Sequence, residues 1–325
     1  MSYSVLPGDL DLAVADWLQG QNGSMRRIKS NELTEKYRHG QSSGHIDLAA
    51  YLTTRMPATF AAIARVLDEV GKIAPSFSPS TMLDIGAGPG TASWAALAQW
   101  PEISNITMIE ADTRFVEMAR LLAQQSDIPA LDSAIITRAK MTEADAKAEL
   151  VIAAYLFAEI AEKVAGEMSL RLWQQTHHTL IIIEPGTPNG FARIKAARDA
   201  LIKAGAHIIG PCTHANACPM PGSNWCHFTQ RLARSREHMH AKKATVPYED
   251  ENFSWIAVSR ISAKLPEARI IAPVIIEKHE LTLKLCSVEG LSTRRVARRD
   301  KATYKRHRKL AWGQALTPTT EIDDA

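Results

Sequence analysis

The run Thr81-Met82-Leu83-Asp84-Ile85-Gly86-Ala87-Gly88-Pro89-Gly90 decides how the rest of the chain reads. A short apolar stretch carrying one acid leads into three glycines at alternate positions, and TASWAALAQW (91–100) follows at helical spacing. Glycine is needed where a backbone turns tightly and must approach a ligand without Cβ interference. The start of the next helix then offers free N–H groups to a carboxylate or phosphate. Further along, ITMIEAD (106–112), SAIITRA (133–139), ELVIAAY (149–155) and TLIIIEPG (179–186) repeat the short apolar pattern between helix-like segments. This alternation predicts an α/β fold with a doubly wound, Rossmann-like parallel sheet.

Spacing within the turn separates cofactor classes. A dinucleotide fingerprint reads G-x-G-x-x-G, whereas this turn reads G-x-G-x-G with Asp84 before it. It resembles the first motif of class I S-adenosylmethionine-dependent methyltransferases. On that resemblance Asp84, Gly86, Ala87, Gly88 and Gly90 lie by the methionine end of S-adenosyl-L-methionine. Glu110 ends the second strand twenty residues beyond Gly90, where an acid accepts hydrogen bonds from both ribose hydroxyls. The stretch after the fourth strand, Ala153 to Glu159, has neither an N-P-P-Y-like run nor a cysteine. Tyr155, Glu159 and Glu184 read first as packing residues, so no catalytic residue is assigned.

Outward on the N-terminal side, Met56, Phe60, Ile63, Ala64 and Leu67 recur at helical spacing, which predicts a helical region over 1–75. Within it Lys36-Tyr37-Arg38 and the Gly/Ser/His stretch 39–45 read as a surface loop. The α/β domain is expected over 76–325. It contains a cysteine-rich, metal-binding insertion at 210–250 and a basic C-terminal segment at 287–325. FSWIAVSR (253–260) and EKHELTLKLC (277–286) suit antiparallel strands closing the sheet at its edge. With 46% hydrophobic residues in 325, the chain is long enough to bury real cores, which excludes disorder as the default. No apolar run approaches the ~18 residues of a membrane span. Asp9, Asp11 and Asp16 sit where a leader would be basic and then apolar. A cytoplasmic protein with reduced thiols is expected.

The chain has four cysteines, and three fall within fifteen residues as C-x5-C-x7-C: Cys212, Cys218 and Cys226, with Cys286 sixty positions on. Four thiolates complete a site for a soft metal, and a Pro/Gly-rich loop can wrap them around it. In HELTLKLC, Leu281, Leu283 and Leu285 share one strand face while Thr282, Lys284 and Cys286 share the other. A cysteine that merely packs in a core belongs on the leucine face. Zinc loops typically carry close C-x2-4-C pairs, absent here, and Cys218-Pro219 resembles the Cys-Pro of some ferredoxin sites. Spacing leaves zinc and an iron–sulfur cluster both open, with His214 and His227 as substitute ligands.

Residues 1–200 hold 18 Lys and Arg against 23 Asp and Glu, whereas 201–325 hold 20 against 12. The densest run, 294–309, sets nine Lys and Arg against Asp300, with Tyr304 and His307 interleaved and Trp312 just beyond. Arg231, Arg234, Arg236, Lys242 and Lys243 follow Cys226 closely. Phosphates and stackable unpaired bases make RNA the matching partner.

With these residues in view, the chain resembles the small-ribosomal-subunit assembly family of methyltransferase-like proteins, known in mitochondria and bacteria. YLTTRMPATFAAI (51–63), LDIGAGPGTASWAA (83–96), CTHANACPMPGSNWCHF (212–228), FSWIAVSR and RRDKATYKRHRKLAWG (298–313) carry the likeness. The resemblance implies a 4Fe–4S cluster on Cys212, Cys218, Cys226 and Cys286, and S-adenosylmethionine at the glycine turn. It also implies association with the maturing small subunit through rRNA, as a monomer when off the ribosome.

Overall fold

A computed structural model describes residues 5–19, 47–222 and 224–317. The predicted loop at 36–45 lies outside them. Short apolar runs form the parallel strands β1 (Thr81–Ile85), β2 (Asn105–Glu110), β3 (Ile135–Arg138), β4 (Ala148–Ala154) and β5 (Thr176–Pro185). With β6 (His207–Gly210), β7 (Phe228–Ala233) and β8 (Tyr248–Ser259) they make a sheet of order β3-β2-β1-β4-β5-β8-β6, with β7 paired to β8. The order reverses between β1 and β4, and ligands of doubly wound sheets bind beyond the carboxyl ends of strands at such a point.

Alternate residues of each strand enter opposite cores, because successive side chains of a strand point to opposite faces. Met82, Leu150 and Ile181 join one cluster with α1 (Gly8–Gln19), α2 (Met56–Ile73), α3 (Thr91–Gln99) and α4 (Thr113–Gln124). Leu83, Val151 and Ile182 join the other with α5 (Ala165–Gln174) and α6 (Pro188–Lys203). Burial on both faces is why these strands are almost continuously apolar. Among the described residues no helix is long and apolar enough to cross a membrane.

One expected strand is placed elsewhere. Residues 253–259 of β8 are buried and pair antiparallel with β5 on one side, while on the other 257–259 pair with β6 and 248–253 with β7, so this strand is interior rather than an edge. The run 277–286 does not close this sheet. It supplies β11 (Glu280–Ser287) of a second sheet with β9 (Ala268–Ile270), β10 (Ile275–Ile276), β12 (Gly290–Ala297) and β13 (Ala315–Leu316). The physical reason is its half-apolar pattern: Leu281, Leu283 and Leu285 build a small core with Ile270, Val296 and Tyr304. A sheet with one solvated face suits that alternation, and an interior strand does not. Two further helices matter below: α7 (Arg236–Lys242), between β7 and β8, and α8 (Lys301–His307), laid on the second sheet.

Candidate functional site

The glycine turn joins β1 to α3. Gly86, Gly88 and Gly90 have φ of +68°, +55° and +86°, the left-handed region that disfavours any side chain. A Cβ at Gly86 would also stand 2.7 Å from Leu156 Cδ1. The turn is tied to the second strand, since the amides of Gly86 and Ala87 donate to the Ile109 carbonyl. Glu110 holds it further, accepting from the Gly88 amide through Oε2 and from the Asp112 amide through Oε1, both at 2.8 Å. A carboxylate has about four lone-pair positions, so two amides leave acceptor capacity unused. Asp84 is buried beneath the turn, and its Oδ2 accepts from the Ser93 amide and hydroxyl. Burial pushes its carboxyl up to about 7 against those two hydrogen bonds. Asp84 therefore braces the first turn of α3.

Three residues absent from the sequence reading gather beside this turn. Tyr51 and Arg55 lie in a π-helical turn, Tyr51–Arg55, that runs into α2. Pro57 has no N–H to give an α-helical bond there, and the Met56 amide reaches back to Tyr51 instead. The Tyr51 hydroxyl lies 3.6 Å from where a Gly88 Cβ would be. Arg55 binds Glu251 of β8 through two N–H groups at 3.0 and 3.1 Å. Glu251 Oε1 also accepts from the Tyr155 hydroxyl at 2.9 Å. Tyr155 follows β4 with φ +61°, a conformation uncommon for a bulky residue. The readable signal was polar Thr53-Thr54-Arg55 inside an apolar helix, and acids at alternate positions 249 and 251 of a strand. Glu184 ends β5 fully buried. Burial pushes it up to about 8, against the Phe157 amide it accepts. Glu159 is exposed.

The cysteines meet near the β6 edge of the sheet, with β4 and β5 between them and the turn. Cys212, Cys218, Cys226 and Cys286 line one cavity of about 40 Å³, walled by Phe228, Trp255 and Ile256 among others. All four are free thiols and partly buried. Burial first, and then each other's proximity, pushes Cys226 and Cys286 up, the latter to about 11. Burial raises Cys212 too, while the neighbouring Arg198 opposes it. The loop is pinned by backbone acceptors: the Ser254 hydroxyl donates to the Cys226 carbonyl and the Trp225 indole to the Gly186 carbonyl. His214 Nε2 lies 4.0 Å from Cys286 Sγ, whereas His227 stacks on Trp225 and meets Trp312 edge-on. Among the described residues no three His, Cys, Asp or Glu side chains are grouped to hold a single metal ion.

The basic residues divide. Arg294, Arg295, Arg298, Arg299, Lys301, Lys305, Arg308 and Lys309 are exposed. Tyr304 and His307 are buried at one-turn spacing on the inner face of α8, and Trp312 is half-buried against the main core, so these rings pack rather than stand ready for bases. Near Cys226, Arg234 and Lys242 are engaged by Glu249, and Arg231 by Asp250. The expected surface is thus carried by 294–309 more than by 231–243.

The family model described as mitochondrial small ribosomal subunit Rsm22 matches residues 45–317. The chain belongs to this family. Among its relatives, the human ribosome assembly protein METTL17, mitochondrial, is 24% identical over 83% of this chain and 62% of its own length. Rsm22-cox11 tandem protein 2, mitochondrial, of the fission yeast Schizosaccharomyces pombe is 21% identical over 84% of this chain and 44% of its own. The chain thus spans under two thirds of these relatives. A magnesium protoporphyrin IX methyltransferase from Synechocystis PCC 6803 with bound SAH resembles it at a TM-score of 0.42 and 12% identity, covering 74% of this chain and 100% of that one. The cytoplasmic expectation is corrected here. The family and these relatives are described as mitochondrial, which points to that compartment instead. The expectation rested on the acids near residue 1, and where a chain begins does not fix its compartment.

Proposed function

We propose that this family member binds S-adenosyl-L-methionine and an iron–sulfur cluster, and binds rRNA to assist small-subunit assembly. The observation that carries it is the meeting of three loop thiols with a fourth, sixty residues on, at one cavity. By the same measure one water needs roughly 10–15 Å³, so about 40 Å³ accommodates a group of several atoms. Zinc is the second reading. A 4Fe–4S cluster is the first, because these cysteines lack the close C-x2-4-C pairs of zinc loops. Cys212, Cys218, Cys226 and Cys286 would hold it, and bound it would supply four Fe–S bonds closing the loop onto β11. Each thiol must give up its proton to ligate.

At the turn, Gly86, Ala87, Gly88 and Gly90 would admit the methionine end of the cofactor over the braced Asp84, with Glu110 at the ribose. An active rRNA methyltransferase is the alternative, favoured by that intact turn. Against it, Tyr155 at the acceptor side is engaged by Glu251. On this reading the chain divides into a helical region, 1–75, and a methyltransferase-like domain, 76–325, in which 210–250 carries the cluster loop and 287–325 the RNA-facing charge.

Anaerobic purification with iron, sulfide, zinc and bound-RNA analysis tests the proposal. Iron and sulfide in equal amounts, with small-subunit rRNA retained, are expected. Stoichiometric zinc without sulfide would overturn the metal assignment, and an rRNA nucleotide methylated only when the protein is present would favour the alternative.

A further inference from the structure

Two arginines also line the thiol cavity. Arg198 of α6 is 3% exposed, and its Nε donates to Cys212 Sγ at 3.4 Å. Its remaining N–H groups bind the carbonyls of His214 and Asn216, at 3.0 and 2.6 Å, and Asp199. Arg269 of β9 is 2% exposed. It donates to the carbonyls of Pro211 and Gly313 and to Glu69, while Nη2 has no partner. Each guanidinium has one carboxylate partner, at 3.1 Å for Arg269 and 3.0 Å for Arg198, and each partner is divided with another cation or with solvent. Glu69 is shared between Arg269 and Arg65, and Asp199 has a side chain 45% exposed to solvent. Buried charge is costly unless it is compensated. Arg269, which lines this cavity, keeps one buried guanidinium nitrogen without a hydrogen-bond partner among the described residues, a second and independent observation that calls for an acceptor.

We infer that Arg198 and Arg269 are positioning residues whose charge compensates an anionic, thiolate-held cluster in this cavity. The inference rests on the iron–sulfur reading and adds what holds the group besides its ligands. Four thiolates around a 4Fe–4S core leave a net negative charge. One-electron reduction adds to it without making or breaking a bond. N–H···S hydrogen bonds and nearby positive charge stabilise the reduced form more than the oxidised one, raising the reduction potential.

The test is an anaerobic redox titration of the full chain, wild type beside Arg198→Lys and Arg198→Gln, with a dithionite-class reductant supplying the electron. Iron and sulfide are measured on the same samples. Arg198→Gln keeps an amide donor and loses the charge. It should retain iron and sulfide while its reduction equilibrium weakens on the order of tenfold, 59 mV for one electron. Arg198→Lys keeps the charge and should move less. Arg269→Gln should shift the same way, but Arg269 also ties α2, the cysteine loop and β13, so Arg198 is the decisive position. Equal potentials in all three Arg198 forms, with iron intact, would overturn the inference. Wild-type protein without iron and sulfide would overturn the underlying reading instead.

Discussion

The glycine turn and the thiol cavity stand apart along one sheet, with β4 and β5 between them, and are held together in different ways. The turn is built by regular structure: three left-handed glycines, amides bound to the Ile109 carbonyl, Glu110 on the Gly88 amide and Asp84 on Ser93. The cavity takes its wall from α6 and β8 but three of its four thiols from a loop, and one guanidinium–thiol hydrogen bond, Arg198 to Cys212, is made among them. Secondary structure pre-forms a crevice for a small ligand, whereas a site made of loop cysteines depends on its occupant for rigidity.

If the cavity holds the proposed cluster, removing it should produce the largest effect and break the symmetry between the regions. With Cys226→Ser, or after chelation of iron, hydrogen exchange in 211–227 and in the second sheet at 268–297 should accelerate by at least tenfold. Amides of 81–95 should keep their protection. Uniform acceleration across both regions would mean that the cavity supports the whole domain and that the contrast is false.

The next effect acts on the turn alone. Gly86→Val forces a β-branched residue into φ +68° and against Leu156, where a left-handed residue costs roughly 1–2 kcal/mol before any clash. S-adenosylmethionine binding measured by calorimetry should fall by tenfold or more while the iron and sulfide content stays at the wild-type level. A parallel loss of iron would show that the two sites are coupled.

How much of this was legible in the sequence follows the same division. The turn, the strands around it and Glu110 could be read because their information is local: glycine where φ is positive, apolar runs where both faces are buried. The face of Cys286 could be read for the same reason, since Leu281, Leu283 and Leu285 do form the second sheet's core. What escaped depends on distance. Arg55 meets Glu251 across 196 positions, and Arg269 meets Glu69 across 200. No local pattern announces either pair. The basic run misled in one respect, because charge density is visible in sequence but the helical phase of Tyr304 and His307 decides that their rings point inward.

The smallest effect concerns Glu184, on the strand between the two regions. Its folded carboxyl is raised to about 8, first by burial and against the Phe157 amide and Arg193, with Glu159 adding to the rise. Unfolded, a glutamate titrates near ~4.3. Between these values the folded state keeps a proton that the unfolded state releases, so stability falls as pH rises across that window and levels off above the folded value. Glu184→Gln carries no charge at any pH and keeps an oxygen for the Phe157 amide. Its melting temperature relative to wild type should rise from pH 5 to pH 8.5, by roughly 2–4 °C for each kcal/mol of that lost stability in a domain of this size class. A difference that does not change with pH would mean that Glu184 stays ionised in the fold, held by a positive group at the site. In that case β5 would mark a third ligand-facing position between the turn and the cavity.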